Sequence, residues 1–146
     1  MALLFAADRM QHLACEVTPR LDEGEVVLCD RYVASSIAYQ SAMSAAGEDE
    51  RDRLMPWIAQ INDHARSPDL TIVLDLDPEI AAQRRAARGT PGELFEHLEL
   101  QRRVRRNYGK VALVRPRDRI VTLDASPSPA EIHQRVMDLV VSLRDV

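Results

Sequence analysis

The stretch Glu25-Val26-Val27-Leu28-Cys29-Asp30-Arg31-Tyr32 constrains this chain more than any other. Val26 to Cys29 are consecutive apolar residues without polar alternation, and Gly24 stands in front of them. Such a run fits a strand buried on both faces, as in a parallel sheet covered by helices. The run stops at Asp30-Arg31-Tyr32. In open parallel α/β sheets, ligands bind outside the carboxyl ends of the strands. An acid and an arginine at that edge are placed to meet a polar, anionic ligand. The plainer alternative is a surface ion pair that only ends a strand.

The rest of the chain agrees with an α/β alternation. Leu3, Ala6, Ala7, Met10, Leu13, Ala14, Val17 and Leu21 recur at helical spacing, with no cap ahead of them and with Pro19 placed to end or kink the helix. Val33 to Ala46 reads as a short Ala- and Ser-rich helix, and Leu54, Trp57, Ile58, Ile61 and Ala65 as another helical stripe. Leu70 to Leu76 is a second apolar run, hence a second strand. Asp77-Pro78-Glu79 starts a helix, with Asp77 as cap and Pro78 in the first helical position. That helix ends in the Arg84-Arg85-Ala86-Ala87-Arg88 segment, and Gly89 to Gly92 is a loop. A longer helix turns Leu94, Leu98, Val104, Tyr108 and Val111 inward. Arg119 to Leu123 is a third strand. Ser128-Pro129-Ala130-Glu131 matches a capping box opening a last helix, with Ile132, Val136, Leu139, Val140 and Leu143 on one face. Alternation of this kind predicts a three-layer α/β structure, a parallel sheet with helices on both faces.

The chain has 146 residues, enough for one domain with a real core. Its net charge of −4 gives no bulk electrostatic reason for nucleic-acid binding. No apolar run reaches membrane-spanning length, and no secretory leader pattern is seen. Cys15 and Cys29 are isolated, and Cys29 is expected to be buried as a small apolar thiol. The histidines are scattered and form no metal motif. A reducing cytoplasm is the expected location. Arg102, Arg103, Arg105 and Arg106 form a basic run, read as a solvated helix face balanced by Glu96 and Glu99.

Leu4-Phe5-Ala6-Ala7-Asp8-Arg9, Asp30-Arg31-Tyr32-Val33-Ala34-Ser35-Ser36-Ile37-Ala38-Tyr39-Gln40, Pro68-Asp69-Leu70, Leu74 to Glu79 and Asp124-Ala125-Ser126 occur in this order. Together they resemble thymidylate kinases, a family of P-loop nucleoside-monophosphate kinases. The resemblance covers nearly the whole chain, and Asp-Arg-Tyr followed by Ser-Ser-x-Ala-Tyr-Gln is its most specific part. It implies transfer of the ATP γ-phosphoryl group to dTMP, giving dTDP, with ATP and Mg2+ as cofactors and a homodimer as the assembly. It implies that Arg31 holds the acceptor monophosphate and that Asp30 orients the site or a magnesium ion. Phe5 and Arg9 lie four apart on one helix side and match the aromatic that stacks on thymine and the arginine that hydrogen-bonds it. Ser36 and Tyr39 match contacts to the base and deoxyribose. Arg84 and Arg88 resemble arginines of the lid over the donor phosphates, although Gly92-Glu93-Leu94-Phe95-Glu96 lacks the lid's usual arginine. Asp124, Ala125 and Ser126 resemble the loop beside the donor adenine. Arginine suits phosphate work because its planar fork meets phosphate oxygens in pairs.

One departure is large. No G-x-x-x-x-G-K-[ST] occurs in these residues, although that loop holds the donor phosphates in P-loop enzymes. The family places it ahead of the region matched here, on a strand lying between those of Val26–Cys29 and Leu70–Leu76. Residues 1–146 are therefore expected to be the C-terminal three-quarters of the family fold, inactive alone. Two readings stay open: a thymidylate kinase, or a kinase-like module that binds a nucleotide or a partner chain without transfer.

Overall fold

A computed structural model of the chain describes residues 1–44, 47–87 and 94–143. Contacts divide it into two compact units: Met1–Ser67 with Arg106–Pro116, and Pro68–Arg105 with Arg117–Val146.

The first unit is helical. Helix α1 (Ala2–His12) begins at Met1 without a side-chain cap, as its sequence implies. It runs through a π-helical turn, Leu13–Val17, into α2 (Thr18–Asp22). Pro19 does not end this helix, one of the two outcomes its sequence allows. It stands in the first turn of α2, while the Thr18 N–H reaches back five residues to the Leu13 carbonyl. The π turn widens the helix just where a proline lacks its donor. Gly24, at φ +81°, then closes α2. The Glu25 N–H meets the Arg20 carbonyl at 3.0 Å and the Gly24 N–H meets that of Leu21 at 3.0 Å. This is a Schellman stop, and it needs the left-handed conformation that glycine adopts without strain.

Helices α3 (Val33–Ala42) and α4 (Glu48–Gln60) pack on each other, and α1 lies against α3. Val33, Ile37, Ala38, Ala42, Met55, Ile58 and Ala59 are buried here together with Ala6, Leu13 and Val17. Small residues on α3 permit the close approach. The Asn107 amide donates to the Ala38 carbonyl and the Ser41 hydroxyl, both at 3.0 Å, so a buried polar pair is satisfied.

The expected first strand is absent. Residues 25–29 adopt no strand pairing, and Val26 and Leu28 are 71% and 90% exposed. Cys29 is exposed too, not buried. A strand exists only through its neighbours' hydrogen bonds, and none pairs with this segment among the described residues.

The second unit holds the parallel sheet. Strands β1 (Thr71–Asp75) and β2 (Ile120–Asp124) pair in parallel, with Asp75 beside Asp124 at the carboxyl end. Thus two strands, rather than three, form the sheet among the described residues. Helix α5 (Pro78–Ala87) follows β1, and the Glu79 N–H donates to Asp77 Oδ1 at 3.0 Å, making Asp77 the expected cap. Helix α6 (Leu94–Val114) gives its first part to this unit and its last part to the other. Helix α7 (Pro129–Ser142) opens with the expected capping box, Ser128 and Glu131 bonding each other's backbone. The mixed α/β architecture with a parallel sheet is as the sequence predicts.

Candidate functional site

The first unit contains a cavity of about 700 Å³ lined from α1, residues 27–32 and α3. Phe5, Arg9, Asp30, Arg31, Ser36 and Tyr39 all line it. Phe5 and Arg9 come from one side of α1, four residues apart. Ser36 and Tyr39 come from one side of α3, three apart, as helical geometry requires. Arg31 sits between, at φ +69°, the one described non-glycine residue with positive φ. Such a conformation is strained for a residue with a Cβ, and strain of this kind gathers at functional sites. Its effect is to turn the chain so that Tyr32 can begin α3.

Both arginines are held by neutral groups. Arg9 donates from Nη2 to Ser36 Oγ at 2.7 Å and from Nη1 to Asn62 Oδ1, and its Cζ lies 5.2 Å from the centre of the Tyr32 ring. Arg31 stacks over Tyr39, Cζ to ring centre 4.5 Å, with a long 3.4 Å contact from Nη2 to the tyrosine hydroxyl. Among the described residues, neither guanidinium is paired with a carboxylate. Burial lowers the pKa of Arg9, with Tyr32 and Asp8 acting against that effect. Burial likewise raises that of Tyr108, whose hydroxyl lies 2.7 Å from Ser35 Oγ and whose ring stands edge-on to Tyr39. Aromatic faces and hydroxyls fix the two cations without cancelling their charge, which leaves both for an anionic or carbonyl-bearing ligand.

The remaining predicted residues lie in the second unit. Arg84 donates to the carbonyls of Ala125 at 3.0 Å and Ser126 at 2.7 Å. The same loop is turned by Asp124, whose Oδ1 accepts from the Ser126 N–H at 2.8 Å. The Ser126 bonds hold the Asp124 pKa below the ordinary range. The structure thus joins Arg84 to Asp124, Ala125 and Ser126. Arg88 and the loop Gly89 to Gly92 lie outside the described residues. The basic run of α6 is more than a solvated face. Arg105 grips both oxygens of Asp75 at 2.7 and 2.8 Å and reaches Asp77 at 3.2 Å. Arg102 pairs with Glu79 and, at 3.6 Å, with the expected Glu99. Lys110, the sole lysine, bonds both oxygens of Asp52 at 2.8 Å.

No group of three ligating side chains gathers among the described residues. Asp8, Glu16 and Asp30 are the carboxylates that line the cavity, Asp30 on the segment that also carries Arg31.

Sequence reasoning missed Asn62, Tyr32 and Tyr108 as site residues. Tyr108 was legible only as an inward-facing helix residue, and Asn62 follows α4 with no local signal. Both meet partners far away in sequence.

The described residues thus make an α/β protein with a parallel strand pair in one unit and, in the other, a cavity where two arginines lie among aromatic rings. A family model described as Thymidylate kinase matches residues 1–136, and the chain belongs to that family. It is 45% identical over 139 residues to a protein of Pyrococcus abyssi named "Probable thymidylate kinase", covering 95% of this chain and 63% of that one. A Pyrobaculum aerophilum protein of the same name is 41% identical over 140 residues, covering 95% and 66%. A third, from Methanococcoides burtonii, is 34% identical over 142 residues, covering 97% and 68%. The chain thus spans about two thirds of the length of these curated relatives.

Proposed function

We propose that this chain carries the acceptor half of a thymidylate kinase, which transfers the γ-phosphoryl group of ATP to dTMP to give dTDP. The observation that carries this reading is the pair Arg9 and Arg31, both in one cavity and, among the described residues, both without a carboxylate partner. In this reading Arg31 binds the monophosphate and Phe5 stacks on thymine. Arg9 donates to a base carbonyl, with Ser36 beside it, and Tyr39 packs against the deoxyribose. Asp30 supplies a carboxylate toward magnesium carried on the phosphates. The ion, when bound, neutralises phosphate charge. Arg84 acts here by holding the Asp124–Ala125–Ser126 loop for the adenine of ATP, and Arg88 belongs to the lid.

The domain assignment is part of the same proposal: residues 1–146 form one thymidylate kinase-like domain, working as a homodimer in the cytoplasm without nucleic acid. The free, exposed Cys15 and Cys29 fit a reducing compartment. Among the described residues no helix is long and apolar enough to cross a membrane.

The donor phosphates require a glycine-rich loop and a lysine that these residues do not contain. That, with exposed Val26 and Leu28, favours one second reading, a kinase-like module that binds nucleotide or a partner chain without transfer. Calorimetric titration with dTMP and a coupled assay of ADP release separate the two. Binding with turnover once a P-loop unit is joined ahead of residue 1 supports the kinase, binding without turnover in that form supports the module, and no binding of dTMP overturns the proposed function.

A further inference from the structure

Asn62 does not line the cavity, yet it determines what Arg9 can do there. It follows α4 and is only 3% exposed. Its backbone N–H bonds the Ala59 carbonyl at 3.0 Å, and its side-chain Nδ2 donates to the Ile58 carbonyl at 2.7 Å. A carbonyl can only accept, so the NH2 end of the amide must face Ile58. The oxygen end then faces Arg9, whose Nη1 donates to it. Ser36 takes the other terminal nitrogen, Nη2, at 2.7 Å. Two elements, α3 and the end of α4, therefore fix both ends of one rigid fork.

We infer that Asn62 is a positioning residue for Arg9, and that it sets the base preference of the cavity through that arginine. A guanidinium has five N–H donors and no acceptor. Asn62 and Ser36 engage one donor on each terminal nitrogen, and the others are left to a ligand. A fork fixed in this way favours a pyrimidine that presents a carbonyl, and disfavours one that presents an amino group at the same position. Asn62 is also neutral, so it orients the charge without cancelling it, as an aspartate would. This inference rests on the proposed dTMP site.

The test compares dTMP with dCMP, by calorimetry on the whole chain. Asn62→Leu keeps the side-chain size and removes both hydrogen bonds. We expect dTMP affinity to fall about tenfold and the preference over dCMP to fall with it. In an Arg9→Met background, the same change should alter affinity less than about twofold, because the interaction runs through Arg9. Asn62→Ser, one bond shorter and small enough for the site, gives the same comparison should the leucine variant not fold. Equal loss of affinity for both nucleotides, or an undiminished effect in the Arg9→Met background, would mark a merely structural residue and overturn the inference. If the unaltered protein binds no dTMP, the proposed function falls and this inference with it. If it binds dTMP and the variants keep the preference, only the inference falls.

Discussion

Arg31 combines a strained backbone with an uncancelled charge, and these two properties can be separated by substitution. Arg31→Ala should weaken dTMP binding by about 1.5–3 kcal/mol, the worth of a charge-assisted contact. Arg102→Ala should leave it nearly unchanged, since Arg102 is engaged with Glu79 and Glu99. Titration calorimetry of both variants checks this, and equal affinities would remove Arg31 from the site. Arg31→Gly should bind as poorly as Arg31→Ala yet be more stable by about 1 kcal/mol, because φ +69° costs glycine nothing. Urea unfolding of the two variants gives that difference. At this scale the sequence was most informative where two functional residues share a helix. Phe5 with Arg9 and Ser36 with Tyr39 have spacings that place each pair on one side. It was silent where a partner comes from afar, as Asn62 does to Arg9 and Tyr108 to Ser35.

Helix ends were legible because their chemistry is local. Asp77, Ser128 and Glu131 cap where their spacing to the backbone says they must. Gly24 stops α2 without steric need, since nothing lies within 4 Å of where its Cβ would be. Gly24→Ala should therefore cost about 1 kcal/mol through φ alone, read from the shift in urea midpoint. The capping box also makes a pH prediction. Its hydrogen bonds to Ser128 lower the Glu131 pKa, so the folded value lies below the unfolded one. The contribution is then full above the ordinary glutamate range and is lost as pH falls through the folded value. Glu131→Gln should flatten the acid side of the melting-temperature profile, below about pH 4.5. An unchanged profile would mean that the carboxylate contributes nothing there. The strand run Val26 to Cys29 misled because strand formation is not local. Its composition is right, but β1 and β2 pair while no described residue pairs with it. Thr71 to Asp75 has the same kind of composition and does form a strand, because Ile120 to Asp124 lies in register beside it.

The whole molecule is where the acceptor site must meet a donor. Leu3, Leu4 and Met10 on α1 are exposed and apolar, and the proposed homodimer would cover them. Sedimentation at micromolar concentration should give a dimer mass, and a monomer would contradict that assembly. Turnover is the more demanding test. Phosphoryl transfer needs the donor phosphates in line with the acceptor and their charge neutralised. Arg9, Arg31, Ser36, Tyr39, Phe5 and Asp30 line one cavity, which the proposed function gives to the acceptor. The donor needs a cradle of backbone amides with a lysine, and the sole lysine, Lys110, is on a helix and bonded to Asp52. Arg84, the described arginine expected at the donor side, donates to the carbonyls of Ala125 and Ser126. Residues 1–146 alone are therefore expected to show no thymidylate kinase turnover. Exposed Val26 and Leu28, in a segment that no described strand pairs with, should also make these residues self-associate. Joining a strand, P-loop and helix ahead of residue 1, of the size of one βαβ unit or two, should give that segment a neighbour and the phosphates their cradle. The measurement is ADP release from both forms with dTMP as acceptor, alongside light scattering. Robust turnover by residues 1–146 would show that some other group binds the donor phosphates. Failure of the extended form to turn over, while it still binds dTMP, would favour the non-catalytic module.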